Sequence, residues 1–198
     1  DGDFVPFADI LSECEKYGNA DMVFEFASTS KVTLPGAGIS CFACSEANME
    51  YMCKLIGIQA ISFDKMNQLR HVKFLQNKEH TLALMKEHAK ILKPKFEMVV
   101  STLEREIAPL GIATWHKPKG GYFVSVNTTP GLAKRTLALC KEAGVVMTSA
   151  GATYPYGHDP ADSNIRVAPS LPPVEELEQA MAVFCCCLKL AALEKSKK

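Results

Sequence analysis

The sequence has no excess of charge of either sign, because 22 lysine and arginine residues balance 22 aspartate and glutamate residues. A balanced chain gives no electrostatic reason to expect nucleic acid or acidic lipid as a partner. The sequence also lacks an apolar run long enough to span a bilayer. Asp1-Gly2-Asp3 is not a secretory signal, and a start without methionine is consistent with a processed or excised piece. We therefore expect neither nucleic acid nor a membrane as partner.

The chain also lacks the cysteine spacing of a disulfide framework or a zinc site, although it has eight cysteines. Residues 185–187 are three consecutive cysteines on a predicted helix, and Cys41, Cys44, Cys53 and Cys140 lie in apolar segments. This placement predicts buried free thiols in a reducing cytoplasm. Cys41 and Cys44 form a CxxC pair without a second pair or nearby ligand histidines, so we expect no metal site.

What is present is enough apolar sequence for a large domain, or for a domain and a piece of another: 47% of the 198 residues are hydrophobic. The helix predicted over residues 79–107 is longer than most, and a helix of this length usually connects two compact parts of a protein. We predict an α/β fold. The predicted helices cover residues 4–17, 64–76, 79–107 and 130–143, with one more from Ser45 and a last one from Pro172. The predicted strands cover residues 22–27, 38–43, 120–126, 145–147 and 164–168.

Lys31 lies between the first predicted strand and the small-residue stretch 35–38. A lysine at the mouth of a buried strand is poorly solvated, which makes its amine a better nucleophile and suits it to carry a carbonyl cofactor as a Schiff base. Hydroxyls at Ser28 and Ser30 could donate to a phosphate, together with backbone N–H groups of a glycine turn. A pyridoxal phosphate enzyme needs these groups from its protein. Most lysines in Ser-Thr-Ser-Lys tetrapeptides are solvated loop residues. On residue chemistry alone, Lys31 can be either a cofactor-binding residue or a solvated loop residue.

Arg166 lies inside a predicted apolar strand, between Ile165 and Val167. Arginine is rarely buried without a partner. In one interpretation it is an edge-strand residue whose side chain reaches solvent or a structural aspartate. In the other, its planar guanidinium binds a substrate carboxylate at two points. With Lys31 as the imine-forming group, the second interpretation describes an amino-acid site.

Four segments resemble, in order, motifs of the class I/II aminotransferases, which are fold-type I pyridoxal phosphate enzymes. Residues 28–31 with the glycine turn resemble the Schiff-base motif, and residues 117–123 resemble a glycine-pair strand of the small domain. Residues 144–151 resemble a turn of that domain, and residues 164–168 resemble the strand that carries the carboxylate-binding arginine. The segment around Lys31 looks most like the aspartate aminotransferase-like subgroup related to the MocR sequences.

The resemblance implies a role for each candidate residue. Lys31 would hold pyridoxal 5′-phosphate and move the proton between substrate Cα and cofactor C4′. Ser28 and Ser30 would bind the cofactor phosphate, and Arg166 would bind the substrate α-carboxylate. The implied reaction is transamination between an amino acid and a 2-oxo acid, with aspartate and 2-oxoglutarate as the preferred pair. The implied protein is a cytoplasmic homodimer.

The sequence departs from the family pattern in two ways. Many members carry a phosphate-binding arginine seven or eight residues after the lysine, where this chain has Gly38 and Ile39. The residues that stack on and hydrogen-bond the cofactor ring have no counterpart before Lys31. The resemblance therefore implies the C-terminal part of an enzyme, and we expect this piece alone to be inactive. It would consist of the end of the large domain (1–77), a connecting helix (78–109) and the small domain (110–198).

Three alternatives share these residues. A carbon–sulfur lyase or a decarboxylase of the same fold type would use the same lysine and arginine. An effector-sensing domain of a MocR-type transcription regulator would have a DNA-binding domain upstream. A pseudoenzyme fragment would retain the motifs without the chemistry.

Overall fold

The computed structural model describes residues 8–197, with side chains from residue 10 onward. The chain divides into two compact units between Glu87 and His88. Both units combine helices with a small antiparallel sheet, which confirms the α/β prediction. Among the helices of the described part, none combines the length and the apolar character that crossing a membrane requires.

The first unit consists of a β-hairpin and helices. Its elements are α1 (Ala8–Lys16), a 3-10 turn (Ala20–Met22), β1 (Phe24–Ser28), β2 (Ser40–Cys44), α2 (Glu46–Gln59), α3 (Lys65–Leu75) and the first turns of α4 (Lys78–Glu106). The predicted elements are present with ends shifted by a few residues. The first predicted helix began at residue 4, and residues 4–7 lie outside the described residues.

The hairpin places aromatic rings on one face. β1 and β2 pair antiparallel with Phe26 opposite Phe42, and the centroids of these rings are 6.0 Å apart. Phe24, two residues before Phe26, stacks on it at 6.5 Å. Such cross-strand and same-face aromatic pairs fix the register of two strands. Because side chains alternate along a strand, Ser28 at the end of β1 belongs to the same face.

Side-chain caps begin the next two helices. Ser45 Oγ accepts a hydrogen bond from the Asn48 N–H at 3.3 Å, which confirms the predicted start of α2. Asp64 Oδ1 accepts from the Asn67 N–H at 2.9 Å at the start of α3. Each cap satisfies a backbone donor that the first helical turn leaves without a partner.

Within residues 10–87, only the His71 side chain is buried, with 3% of its surface exposed. Two predictions are therefore wrong for this unit. The strands are not buried, since Phe26 is 65% exposed, and Cys41 and Cys53 are exposed rather than buried thiols. The physical reason is that one hairpin cannot enclose a core without a second layer over its face.

The second unit contains the rest of α4 and a three-stranded sheet with two further helices. After α4 come a 3-10 turn (Ala108–Leu110), β3 (Ala113–Trp115), β4 (Val124–Thr128), α5 (Ala133–Glu142), another 3-10 turn (Pro155–Gly157), β5 (Asn164–Val167) and α6 (Val174–Ser196). The strands pair antiparallel in the order β3-β4-β5.

The described apolar core lies in this second unit. Every second residue of β4 is buried, so one face of the sheet packs inward while the other stays exposed. Leu103 of α4 and Phe184 of α6 are completely buried in the same core. The three- and four-residue spacing of apolar residues in α4 and α6 places one stripe of each helix against the core. α4 continues through Pro94 as one helix.

Two strand predictions in this unit are wrong. Residues 145–147 form no strand, and Val146 is 82% exposed, because strand propensity is realised only where a neighbouring strand supplies ladder hydrogen bonds. The strand predicted from Gly120 begins at Val124, since Gly121 has a φ of +88° and turns the chain before the ladder starts. The prediction also missed β3.

Candidate functional site

Lys31 lies in the middle of a single helical turn at the end of β1. The carbonyl of Thr29 accepts hydrogen bonds from the N–H groups of Val32 and Thr33, both at 2.9 Å. The Thr29 N–H donates in turn to the Ile39 carbonyl at 2.9 Å, which extends the hairpin ladder by one bond. Residues 29–39 therefore form a closed loop, called the Lys31 loop here. The Lys31 side chain is exposed, so the prediction of a poorly solvated lysine is wrong for the described residues, because β1 is itself not buried.

Two hydroxyls lie side by side at the base of this turn. Ser28 Oγ and Ser30 Oγ are 2.7 Å apart, and the Ser30 N–H donates to Ser28 Oγ at 3.1 Å. Both side chains are exposed. Hydroxyls at this separation can donate together to one anionic oxygen cluster such as a phosphate. The structure thus places Ser28 and Ser30 next to each other and beside the Lys31 turn.

Gly38 allows the loop to close over this hydroxyl pair. A Cβ at Gly38 would lie 2.9 Å from Ser30 Oγ and 3.1 Å from Ser30 Cα, which no side chain can tolerate without displacing the turn. Between the Lys31 turn and Gly38, Pro35 and Gly36 form a tight turn in which the Ala37 N–H donates to the Leu34 carbonyl at 3.1 Å. Gly36 has a φ of +77°, the conformation that a type II turn requires after proline.

Two backbone N–H groups near Lys31 bond to side chains of the same segment. The Ile39 N–H donates to Thr29 Oγ1 at 3.0 Å, and the Ser30 N–H donates to Ser28 Oγ. These two N–H groups hold the loop itself. The Ser28 and Ser30 hydroxyls, at the base of the Lys31 loop, stay exposed.

Arg166 lies on β5 in the second unit, opposite Ser125 of β4. Its guanidinium carbon lies 4.6 Å from the centroid of the Phe123 ring, a cation–π contact. Its Nε is buried, and no described atom accepts a hydrogen bond from it. A structural aspartate does not pair with this nitrogen in the described chain. A buried guanidinium nitrogen without an acceptor costs free energy, and an absent water, ion or ligand is the ordinary explanation of such a group.

Sequence reasoning missed the residues that hold β5 in place. Asn164 is buried, donates to Ser125 Oγ at 3.0 Å and to Asn127 Oδ1 at 2.7 Å, and accepts from Thr153. Asp159 accepts backbone N–H bonds from Asn164 at 2.8 Å and Ser163 at 2.7 Å. These backbone bonds hold the pKa of the Asp159 carboxyl below its ordinary value. An Asp–(x)₄–Asn spacing is too common in loops to have identified them.

His71 was also missed. His71 of α3 is buried and bonded to the Lys31 loop through Thr33. The only sequence signal was that Asn67 and His71 lie four residues apart on one helix face. That spacing does not reveal what the face contacts.

A cleft of about 530 Å³ lies between α4 and α6 in the second unit, but it contains no predicted site residue. Two charged residues of its lining neutralise each other, since Lys189 Nζ lies 2.7 Å from Glu106 Oε2. This contact lowers the pKa of Glu106 and raises that of Lys189. No group of histidine, cysteine or acidic residues within residues 8–197 is placed to hold a metal ion.

Comparison with known proteins bears on the family of this chain. The family model described as "Aspartate amino-transferase" matches residues 1–198. This chain belongs to the aspartate aminotransferase family. An aspartate aminotransferase from Corynebacterium glutamicum is 44% identical over 192 residues, which are 97% of this chain and 44% of that protein. The predicted resemblance is thus confirmed at the level of the family.

Solved structures show the same fold. A crystal structure of an aspartate transaminase from Corynebacterium glutamicum has a TM-score of 0.89 at 44% identity and covers 98% of this chain and 46% of its own. The α-aminoadipate aminotransferase LysN from Thermus thermophilus, complexed with N-(5′-phosphopyridoxyl)-L-leucine, has a TM-score of 0.75 at 16% identity. At that identity the likeness shows the fold alone. The chain spans less than half the length of these relatives.

Proposed function

We propose that the complete protein is a pyridoxal phosphate-dependent aminotransferase and that this chain is its C-terminal part. Residues 1–77 would end the large domain, residues 78–109 would connect, and residues 110–198 would form the small domain. The observation that carries the proposal is the buried, unpartnered Nε of Arg166 in a chain of the aspartate aminotransferase family. An orphaned guanidinium nitrogen fits a carboxylate ligand, and every amino-acid substrate has one.

The residues of the Lys31 loop fit the cofactor. The hydroxyl pair Ser28 and Ser30 would hold the phosphate, and the absence of a Cβ at Gly38 lets the loop close against Ser30. Lys31 Nζ would hold the cofactor carbonyl carbon and would remove the proton from substrate Cα. Pyridoxal phosphate, when bound, supplies the electron sink that stabilises the resulting carbanion.

The substrate proposal rests on the relatives and on Arg166. Arg166 would bind the α-carboxylate in a two-point contact, and the Phe123 ring below it would keep the guanidinium plane fixed. The Corynebacterium glutamicum relatives are named aspartate aminotransferase and aspartate transaminase, so we propose aspartate as amino donor and 2-oxoglutarate as acceptor. We also propose a cytoplasmic homodimer and, within the family, a relation to the MocR-type sequences.

For the 198-residue chain alone we propose neither tight cofactor binding nor turnover. None of the apolar side chains described in its first unit is buried, so this unit has no core of its own to fix the Lys31 loop. A loosely held amine loses the orientation on which the reaction depends.

The test uses the protein expressed from its complete coding sequence. Added pyridoxal phosphate should give a visible absorbance band, and aspartate with 2-oxoglutarate should give glutamate. Lys31→Ala should abolish both, because no other amine replaces Nζ. Lys54→Ala, at an exposed lysine of α2, is the matched control and should change neither.

An unchanged band and rate in Lys31→Ala would refute the proposal. Products that lack the amino-group transfer would point to a lyase or decarboxylase. Specific DNA binding without turnover would point to a regulator.

A further inference from the structure

A continuous line of hydrogen bonds connects one turn of α3 to both ends of the Lys31 loop. At the helix, His71 Nδ1 lies 2.9 Å from the Asn67 carbonyl oxygen, and His71 Nε2 lies 2.8 Å from Thr33 Oγ1. At the other end of the loop, Asn67 Nδ2 donates to the Ala37 carbonyl at 2.8 Å. One helical turn, 67–71, therefore holds the loop on both sides of its tip.

The line continues from Thr33 into the turn that carries Lys31. Thr33 Oγ1 lies 3.1 Å from both the carbonyl oxygen and the hydroxyl oxygen of Thr29. Thr29 Oγ1 in turn accepts from the Ile39 N–H at 3.0 Å. Thr29 and Thr33 are the first and last residues of the turn, so the line fixes the backbone on either side of Lys31.

The partners determine how the protons are arranged. A carbonyl oxygen only accepts, so His71 Nδ1 carries the hydrogen that bonds the Asn67 carbonyl. In the neutral ring Nε2 then accepts from the Thr33 hydroxyl. The Thr33 hydroxyl has a single hydrogen to share between His71 Nε2 and the two Thr29 oxygens, and Thr29 Oγ1 accepts from the Ile39 N–H. From His71 to Thr29 each ring nitrogen and hydroxyl has a partner, whereas Asn67 Oδ1 is buried without one. The bonds that are made restrict the backbone on both sides of Lys31.

We propose that His71 is a positioning residue, which orients the Lys31 amine over the Ser28 and Ser30 hydroxyls by holding the Lys31 loop through Thr33 and Thr29. This inference rests on the proposed function for its consequence, while the mechanical link stands on the described hydrogen bonds alone. His71 is the one buried side chain among residues 10–87, so it is the most constrained anchor that this unit offers the loop.

The decisive experiment measures amide hydrogen exchange of residues 29–39 in the protein expressed from its complete coding sequence. His71→Ala and Thr33→Val each break the bond between the helix and the turn. We expect exchange of the Thr33 and Ile39 amides to become about tenfold faster in each variant, as the loss of one buried bond allows. The double variant should add little, because both changes remove the same link.

A matched control distinguishes positioning from general destabilisation. Asn48→Ala removes a bond of the same length but more exposed in the same unit, from Asn48 Nδ2 to the Asp21 carbonyl at 2.8 Å, away from the Lys31 loop. It should leave exchange in residues 29–39 unchanged. His71→Gln, which can still accept from the Thr33 hydroxyl, should restore slow exchange in part. Loop exchange that is unaltered by His71→Ala, or equally fast in Asn48→Ala, would overturn the proposal.

A second measurement tests whether the hydrogen bonds between His71 and the Lys31 loop also affect cofactor binding. His71→Ala should weaken pyridoxal phosphate binding about tenfold and move the pH midpoint of the visible band, since the amine loses its orientation. Asn48→Ala should do neither. Faster loop exchange with unchanged binding and spectrum would refute the positioning role and leave the proposed function intact. Absence of cofactor binding in the unaltered protein would refute the proposed function, and with it the role of His71 towards the cofactor.

Discussion

Replacing Arg166 with methionine should leave the second unit about as stable as before while removing most of the turnover of the complete protein. Two opposing terms decide the stability. Removing a buried donor without a partner recovers about 1–3 kcal/mol, and loss of the contact with Phe123 costs about 0.5–2 kcal/mol. We therefore expect the free energy of unfolding to change by less than about 1 kcal/mol. A guanidinium buried in a structural ion pair would instead lose about 3–5 kcal/mol.

The expected functional effect is much larger. Truncating one partner of a buried charge pair costs about 2–5 kcal/mol in binding, so kcat/KM for the amino donor should fall about 100-fold or more. For Arg166→Lys, kcat/KM should fall less, because lysine keeps the charge but loses the planar two-point contact.

Urea unfolding followed by circular dichroism measures the stability, and glutamate formation measures the turnover. Arg135→Met is the matched control, since Arg135 of α5 is an exposed arginine whose Nε lies 2.7 Å from Glu194. Exposed pairs contribute little, so this variant should change neither quantity appreciably. The reasoning about Arg166 would be refuted if Arg166→Met unfolded several kcal/mol more easily and kept its turnover.

Two further predictions follow from perturbed pKa values. Backbone N–H bonds from Asn164 and Ser163 lower the pKa of Asp159 below 3.8, so the stability advantage over Asp159→Asn should be complete above that pH. It should disappear as the pH falls through the lower folded pKa, and urea unfolding over a pH series measures this; an advantage that persists in strong acid would contradict it. Burial raises the pKa of Cys140 to about 12, so this thiol should stay unmodified by an aromatic disulfide reagent at neutral pH, whereas the exposed Cys186 should react. Mass mapping of the native protein checks this, and faster labelling of Cys140 than of Cys186 would refute it.

Local chemistry made much of the fold predictable from the sequence. Ser45 begins α2 because a serine hydroxyl can satisfy an orphan amide, and this requires no knowledge of tertiary structure. The apolar stripe of α4 is equally local, since its period alone defines a face. The prediction of a strand at residues 145–147 was wrong because a strand needs a neighbouring strand, and the sequence of one strand does not specify that neighbour.

The same division holds for the candidate site. Lys31 and Arg166 were found because their types are unusual in their settings, and Ser28 and Ser30 because they flank the lysine. His71 and Asn164 were missed because their roles depend on contacts with residues that lie 38 or 39 positions away in the sequence. Spacing along one helix or strand does not report such contacts.

The chain has a single tryptophan, Trp115, and it lies on β3 at the edge of the three-stranded sheet, packed against the core of the second unit. Indole emission is sensitive to solvent access, so the fluorescence of this chain reports on its second unit only. Far-UV ellipticity reports on the helices of both halves. If the two signals are lost at different denaturant concentrations, the halves unfold separately, and no engineered label is needed to see it.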